Sequence, residues 1–174
     1  MPLYTEEYKQ LQQKFHVDRP DYGTSSHRWC EMIVQTAQKL QTRDILDYGC
    51  GKAHLQKGIP FPIQNYDPFI PEYSTRPSPA AIVVCTDLLE HIEPSFLDDV
   101  LSDLHELTLD MLFLNVATRA ASKFLPDGRN AHLIQESGNW WLQKLLPRFA
   151  LTSFQVGKGE FTAIMTPIRV EDVL

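Results

Sequence analysis

The chain has 174 residues, 43% hydrophobic and 22% charged, which suits one globular domain able to bury a core without staples. A net charge of −6 and a pI near 5.4 provide no overall positive field, which argues against a stand-alone DNA or RNA binder, and a small molecule or protein partner is expected. Cys30, Cys50 and Cys85 have neither a disulfide-framework nor a zinc-type spacing, so they read as reduced thiols and no metal is expected.

The opening residues are polar and acidic, unlike a signal peptide. No apolar run approaches the roughly 20 residues that span a bilayer. A cytoplasmic protein without a membrane partner is therefore expected. Tyr4, Tyr8, Leu11 and Phe15 recur at helical spacing and predict a first amphipathic helix. Asp18 to Gly23 supply turn chemistry. Ser25 or Ser26 is placed to cap a second helix with Trp29, Met32, Ile33, Ala37 and Leu40 on its apolar face.

Ile45-Leu46-Asp47-Tyr48 reads as a buried strand that stops at Gly49-Cys50-Gly51, and Ile63 to Pro68 as a second strand ended by an acid. Pro71, Pro77 and Pro79 make the stretch from Phe69 to Pro79 a loop. Ala81 to Cys85 is apolar on both faces, the mark of a central parallel strand. Pro94-Ser95 opens a helix with Ser95 and Asp98 spaced as a capping box and Leu97, Val100, Leu101, Leu104 and Leu107 as its buried stripe. Met111 to Val116 is another buried strand. A polar loop leads to a helix around Trp140 to Leu146, in which one of the two tryptophans is expected in the core. Leu151–Val156 and Phe161–Ile168, separated by Gly157-Lys158-Gly159, read as a terminal hairpin. Alternating strands and helices predict an α/β fold: a Rossmann-like, doubly wound, mostly parallel sheet with an antiparallel C-terminal strand. Residues 1–43 are expected to pack on a core domain of residues 44–174, as part of the same domain and as a lid.

The chemistry concentrates at three places. Gly49 and Gly51 permit a sharp strand-to-helix turn and close ligand approach, while Asp47 can accept a bond from an ammonium group. His54 stands where the dinucleotide fingerprint has its third glycine, which favours a cationic ligand without phosphates. Asp67 ends the second strand, where an acid bonds the two hydroxyls of a ribose. Asp47-Tyr48-Gly49-Cys50-Gly51, then Tyr66-Asp67-Pro68, then Cys85-Thr86-Asp87-Leu88-Leu89-Glu90-His91 resemble, in order, the motifs of class I S-adenosylmethionine (SAM)-dependent methyltransferases.

The resemblance extends over about residues 44 to 168, and it implies SAM as cofactor, S-adenosylhomocysteine (SAH) as product and no metal. It implies a cofactor site of Asp47, Tyr48, Gly49, Cys50, Gly51, Asp67, Pro68, Thr86, Asp87 and Leu88. Two departures stand out: Ala53 takes the place of a customary third glycine, and only the proline-rich loop joins Asp67 to the next strand. A central helix and strand with their adenine-contacting acid are therefore missing, as in pared-down members from bacteria and phages, and Phe69, Ile70 or Tyr73 is expected to line the adenine.

Asp87, His91 and His132 are the candidate catalytic groups, each able to position or deprotonate an acceptor. Arg129, Asn130 and His132, in a polar loop beyond the fifth family strand, and Tyr22, in a segment 22–25 that can fold over the site, are the candidate substrate contacts. No Asn-Pro-Pro-Tyr, Asp-Pro-Pro-Tyr or nucleophilic Pro-Cys segment follows the Ala81 strand, which argues against DNA base methylation. The expected activity is methyl transfer to a small-molecule or protein acceptor. Two alternatives stay open: a non-catalytic protein that binds SAM or SAH, and an enzyme that cleaves SAM.

Overall fold

A computed structural model of the chain describes residues 2–19 and 22–169; Pro20 and Asp21 of the expected turn lie outside the described residues. The first helix, α1 (Glu6–Asp18), is capped by the Thr5 hydroxyl, which accepts the Tyr8 N–H at 3.1 Å. It buries Tyr8, Gln12, Phe15 and His16. A 3-10 turn over Ser25–Trp29 leads into α2 (Cys30–Lys39). Neither Ser25 nor Ser26 caps that helix: Trp29 occupies the cap position with no side-chain bond. Leu40, expected on the buried face, ends the helix and is exposed.

β1 (Ile45–Tyr48), the short α3 (His54–Gly58) and β2 (Gln64–Tyr66) follow. The prolines then keep Phe69 to Pro79 out of any helix beyond one 3-10 turn at Pro71–Tyr73. Next come β3 (Ala80–Thr86), α4 (Leu97–Leu107), β4 (Thr108–Ala117), α5 (Gly138–Leu145), β5 (Phe149–Gly157) and β6 (Glu160–Pro167). Ser95 does not form the expected capping box. It sits inside a 3-10 turn, and α4 begins at Leu97 with no side-chain cap, its first turn carrying Asp98 and Asp99 against the helix dipole.

The six strands lie in the order β2-β1-β3-β4-β6-β5. β1 to β4 are mutually parallel, and β6 is antiparallel to both of its neighbours. β2 is an edge strand because the chain crosses straight from it through the proline loop to β3, with no helix and strand beyond it. The alternation of side chains along each strand feeds two cores. Leu46, Val83, Cys85, Leu112 and Leu114 pack with α4 and with Trp141 of α5 on one face. Ile45, Ile82, Val84 and Phe113 pack with Ile33 and Ala37 of α2 and Leu55 of α3 on the other. Trp141 is the tryptophan that enters the core, with 0% exposure.

A third, smaller cluster of Tyr8, Phe15, Leu125 and Ala131 binds α1 to the loop after β4. That places α1 across the carboxyl ends of the parallel strands. Among the described residues, no helix is long and apolar enough to cross a membrane.

Candidate active site

The parallel strands deliver their carboxyl ends to one edge of the sheet, where an open α/β fold builds its sites. Beyond β1 the backbone turns through Gly49 and Gly51 at φ values of +78° and +52°, which glycine adopts without a Cβ clash. Space demands glycine as well. A Cβ on Gly49 would stand 2.5 Å from Leu88 Cδ2, and one on Gly51 would stand 2.8 Å from the Gly23 carbonyl oxygen. Ala53 also takes a left-handed φ, +51°, at a cost of roughly 1–2 kcal/mol, which is the physical reason a glycine suits that position.

The turn faces Asp67. Gly51 N–H donates to Asp67 Oδ2 at 3.0 Å and Phe69 N–H donates to Oδ1 at 2.9 Å. Both oxygens are thereby fixed with lone pairs to spare. Nearby, Asp47 Oδ2 and Thr86 Oγ1 are buried without a hydrogen-bond partner among the described residues, at the ends of neighbouring strands. Burial lifts the Asp47 carboxyl to about 8, with Asp67 adding to the rise. Burial lifts Asp67 to about 6, against the lowering effect of its two N–H donors. A cationic group beside them would relieve both.

Two narrow cavities flank the turn. One of 30 Å³ lies among Tyr4, Tyr8, Phe69, Pro68, Tyr48 and Leu88. The other, of 50 Å³, lies among Gly51, Asp67, His16, Tyr22 and Asp87. Both are far below the roughly 300 Å³ of a small-molecule site, because the N-terminal segment is closed on the turn. Lys52 N–H donates to the Gly23 carbonyl at 3.2 Å, and Tyr8 donates its hydroxyl to the His91 carbonyl.

A second group of side chains gathers just past β3. Asp87 has a φ of +53°, a strained value for a non-glycine residue that costs about 1–3 kcal/mol. The 3-10 turn Leu89–His91 follows it. Ser25 donates its hydroxyl to Asp87 Oδ2 at 2.9 Å, so the serine expected to cap a helix instead ties the N-terminal segment to the site. Glu90 Oε1 accepts the Ala117 N–H at 2.8 Å.

His91 Nδ1 lies 2.8 Å from the Ala131 carbonyl oxygen, and His132 Nδ1 lies 2.6 Å from that of Arg119. A carbonyl only accepts, so each Nδ1 carries the hydrogen. Burial drives His91 down to about 4 in spite of Asp87. Burial, and then Asp87, drive Glu90 well above the usual carboxyl range. Burial also acts to raise Asp87, but His91, Ser25 and Glu90 outweigh it and hold that carboxyl below its ordinary value.

A cavity of 310 Å³ opens onto this group, lined by Tyr22, Ser25, Asp87, His91, His132 and residues 119–123. Tyr22, Gly23, Asp87 and His91 line both this cavity and the 50 Å³ one beside Asp67. They form the partition between the two.

The structure thus brings together Asp47, Gly49, Gly51, Asp67, Thr86, Asp87, Leu88, His91, His132 and Tyr22. Tyr48 lines the apolar cavity, but its hydroxyl donates to Asp103 Oδ2 at 2.8 Å. Cys50 is buried and lines none of these cavities. Arg129 and Asn130, expected at the substrate, do not line the 310 Å³ cavity. Arg129 pairs with Asp127 at 2.7 Å and lies over the Tyr8 ring. Asn130 spends its amide on the Ala121 N–H and carbonyl, both at 2.9 Å, and so shapes the loop instead. Of the residues expected at the adenine, Phe69 lines the apolar cavity and Ile70 and Tyr73 do not; Tyr4 and Tyr8 line it beside Phe69.

Sequence reasoning missed Tyr8, Gln12 and His16 as site residues. Polar side chains on the buried stripe of the first helix were the available signal.

No family model matches the sequence, and no curated protein matches it. Solved structures do. The 1,6-didemethyltoxoflavin-N1-methyltransferase of Burkholderia thailandensis, with bound 1,6-didemethyltoxoflavin and SAH, aligns at a TM-score of 0.66 and 14% identity, over 97% of this chain and 93% of that one. DhpI, in complex with SAH, aligns at 0.61 and 11% identity over 94% and 98% of the two chains. The N-methyltransferase NodS of Bradyrhizobium japonicum, also with SAH, aligns at 0.57 and 8% identity over 84% and 89%. The glycine turn, the opposed Asp67 and the strand order agree with these likenesses: the chain has the fold of the class I SAM-dependent methyltransferases, with the unit beyond β2 removed.

Proposed function

We propose that the chain is a SAM-dependent methyltransferase for a small polar acceptor. The observation that carries this reading is the shared partition of Tyr22, Gly23, Asp87 and His91, with the glycine turn and Asp67 on one side and the 310 Å³ cavity on the other. A methyl donor over the turn and an acceptor in the cavity meet across it. Asp67 is placed for the ribose hydroxyls, the Gly49–Gly51 turn for the amino-acid part, and the unpartnered Asp47 Oδ2 for its ammonium. Tyr4, Tyr8 and Phe69, in edge-to-face contact at 5.0 and 5.9 Å, offer the apolar walls for adenine.

SAM supplies an electrophilic methyl group. The chain's own task is to orient the acceptor lone pair and exclude water, worth roughly 7–11 kcal/mol when alignment is good. The new bond forms from the acceptor's lone pair, the C–S electrons pass to sulfur, and the acceptor's proton goes to a nearby base. Asp87, ionised at neutral pH, is the best placed base, while His91 with its lowered proton affinity positions the acceptor. The Burkholderia enzyme, with bound 1,6-didemethyltoxoflavin and SAH, supports a small-molecule acceptor over a protein side chain.

Calorimetric titration with SAM and SAH tests the reading. Micromolar-range binding that is lost in Asp67→Ala is expected. Absence of binding to the wild-type protein at millimolar ligand would overturn it.

A further inference from the structure

The ligand atoms of Asp87, Glu90, His91 and His132 all lie within 4.8 Å of one another. Ligands trans to each other across an ion with 2.1 Å bonds stand about 4.2 Å apart, so a modest contraction closes the set. We propose that these four residues hold a divalent first-row transition-metal ion at the floor of the 310 Å³ cavity, placed to take an oxygen or nitrogen of the acceptor as a further ligand. The bound ion takes over from His91 the positioning of the acceptor, and Asp87 ligates through one oxygen and keeps the other as base; this role rests on the methyltransferase reading, the ion site itself does not.

Three further observations carry the assignment. Both imidazoles give their Nδ1 hydrogen to a backbone carbonyl, of Ala131 and of Arg119. This second-shell bond fixes the ring and tautomer of metal-ligating histidines and leaves each Nε2 lone pair available. Glu90 is fully buried; its Oε1 is held by the Ala117 N–H, while Oε2 meets no N–H or hydroxyl donor among the described residues and has only the Asp87 carboxyl beside it. A proton shared between Asp87 and Glu90 would satisfy the carboxyls alone, leaving two ring nitrogens without a hydrogen in the same small space. Their rings meet edge to face at 4.8 Å. A dication answers all four groups at once and balances the two carboxylates.

Two imidazoles with two carboxylates suit Mn²⁺, Fe²⁺, Co²⁺ or Zn²⁺ rather than the all-oxygen sites of Ca²⁺ and Mg²⁺. The cavity supplies the entry path, because Asp87, His91 and His132 line it.

The test is a titration of the chelator-treated full chain with Co²⁺ alone, followed by visible absorption and calorimetry. One ion per chain is expected, with a spectrum showing imidazole nitrogen in the coordination sphere. Glu90→Gln and His132→Ala should each weaken binding by more than about tenfold, while Asp110→Ala, exposed on β4 and outside the set, binds as wild type. Circular dichroism identifies any variant that fails to fold, and the remaining one then decides. No binding at millimolar Co²⁺, or wild-type affinity in both variants, overturns the proposal. SAH titration of the same sample separates the two claims. Co²⁺ bound without SAH binding keeps the ion site and removes the methyltransferase reading; SAH bound without Co²⁺ does the reverse.

Discussion

The Gly23 carbonyl oxygen lies 2.8 Å from the point where a Cβ on Gly51 would stand, so these two glycines bring the N-terminal segment into backbone contact with the glycine turn after β1. The contact joins the part of the chain that precedes the sheet to the part that ends its first strand. The Lys52 N–H bond to the same carbonyl, at 3.2 Å, reinforces it.

Gly51→Ala should therefore cost about 1–3 kcal/mol of stability and lower SAH affinity by more than about tenfold. Gly128→Ala is the control. That residue also has a left-handed φ, +88°, but nothing lies within 4 Å of its added Cβ. It should lose about 1 kcal/mol and keep full affinity. Thermal melts and calorimetry read both, and equal affinity losses in the two variants would refute the contact's role.

Closure of the N-terminal segment predicts a change in hydrogen exchange. Cavities of 30 and 50 Å³ admit no nucleoside until α1 or the Tyr22–Ser25 segment moves. SAH should alter amide exchange over residues 22–29 and at the loop 119–132, and leave β3 and β4 unchanged. Protection confined to the glycine turn would mean that the segment does not take part.

Ligand binding should release a proton. The Asp47 carboxyl, lifted to about 8 by burial, is mostly protonated at pH 7. An arriving ammonium favours the carboxylate, so the proton leaves. Calorimetry at pH 7 in phosphate and in Tris should give different apparent enthalpies. The difference should disappear in Asp47→Asn. Identical enthalpies in both buffers at pH 7 would count against Asp47 as the ammonium partner.

His16 makes the fold sensitive to acid. Burial lowers its imidazole to about 4, with Lys52 and His91 adding to the effect, whereas the unfolded chain titrates near 6.5. The unfolded state takes up the proton first. The contribution of His16 is thus complete above about pH 6.5 and is lost as pH falls toward 4, by on the order of 2–3 kcal/mol. His16→Gln should flatten stability over that window in denaturant titrations. An unchanged pH slope would assign the acid sensitivity to other groups.

Phe69 is the test of the adenine wall. It meets Tyr4 and Tyr8 edge to face and donates its N–H to Asp67. Phe69→Ala keeps that backbone bond and removes the ring. SAH affinity should fall by roughly tenfold or more, as the loss of an aromatic wall costs about 1–3 kcal/mol, while a Phe69→Leu change should recover part of it. Equal affinity in wild type and Phe69→Ala would place adenine elsewhere.

Much of this architecture is written in local pattern. The runs Ile45–Tyr48, Ala80–Thr86 and Met111–Val116 are apolar on both faces, so each must lie inside a sheet covered by helices. Gly49-Cys50-Gly51 marks the sharp turn after β1 because backbone geometry at the two glycines admits few residues. Pro71, Pro77 and Pro79 mark a loop where the resembled family has a helix and a strand.

Only tertiary structure decided the rest. Ser25 reads locally as a helix cap, yet its hydroxyl reaches Asp87 across 62 positions of sequence. Arg129 and Asn130 read as substrate contacts because they are polar and lie in a loop, yet their bonds to Asp127 and Ala121 consume them. Glu90 and His91 were adjacent from the start, but His132 joins them only when the loop after β4 folds back under α1. Sequence spacing fixes which side chains share a strand or a helix face. Which lone pairs converge depends on long-range packing, and one sequence carries no local signal of that.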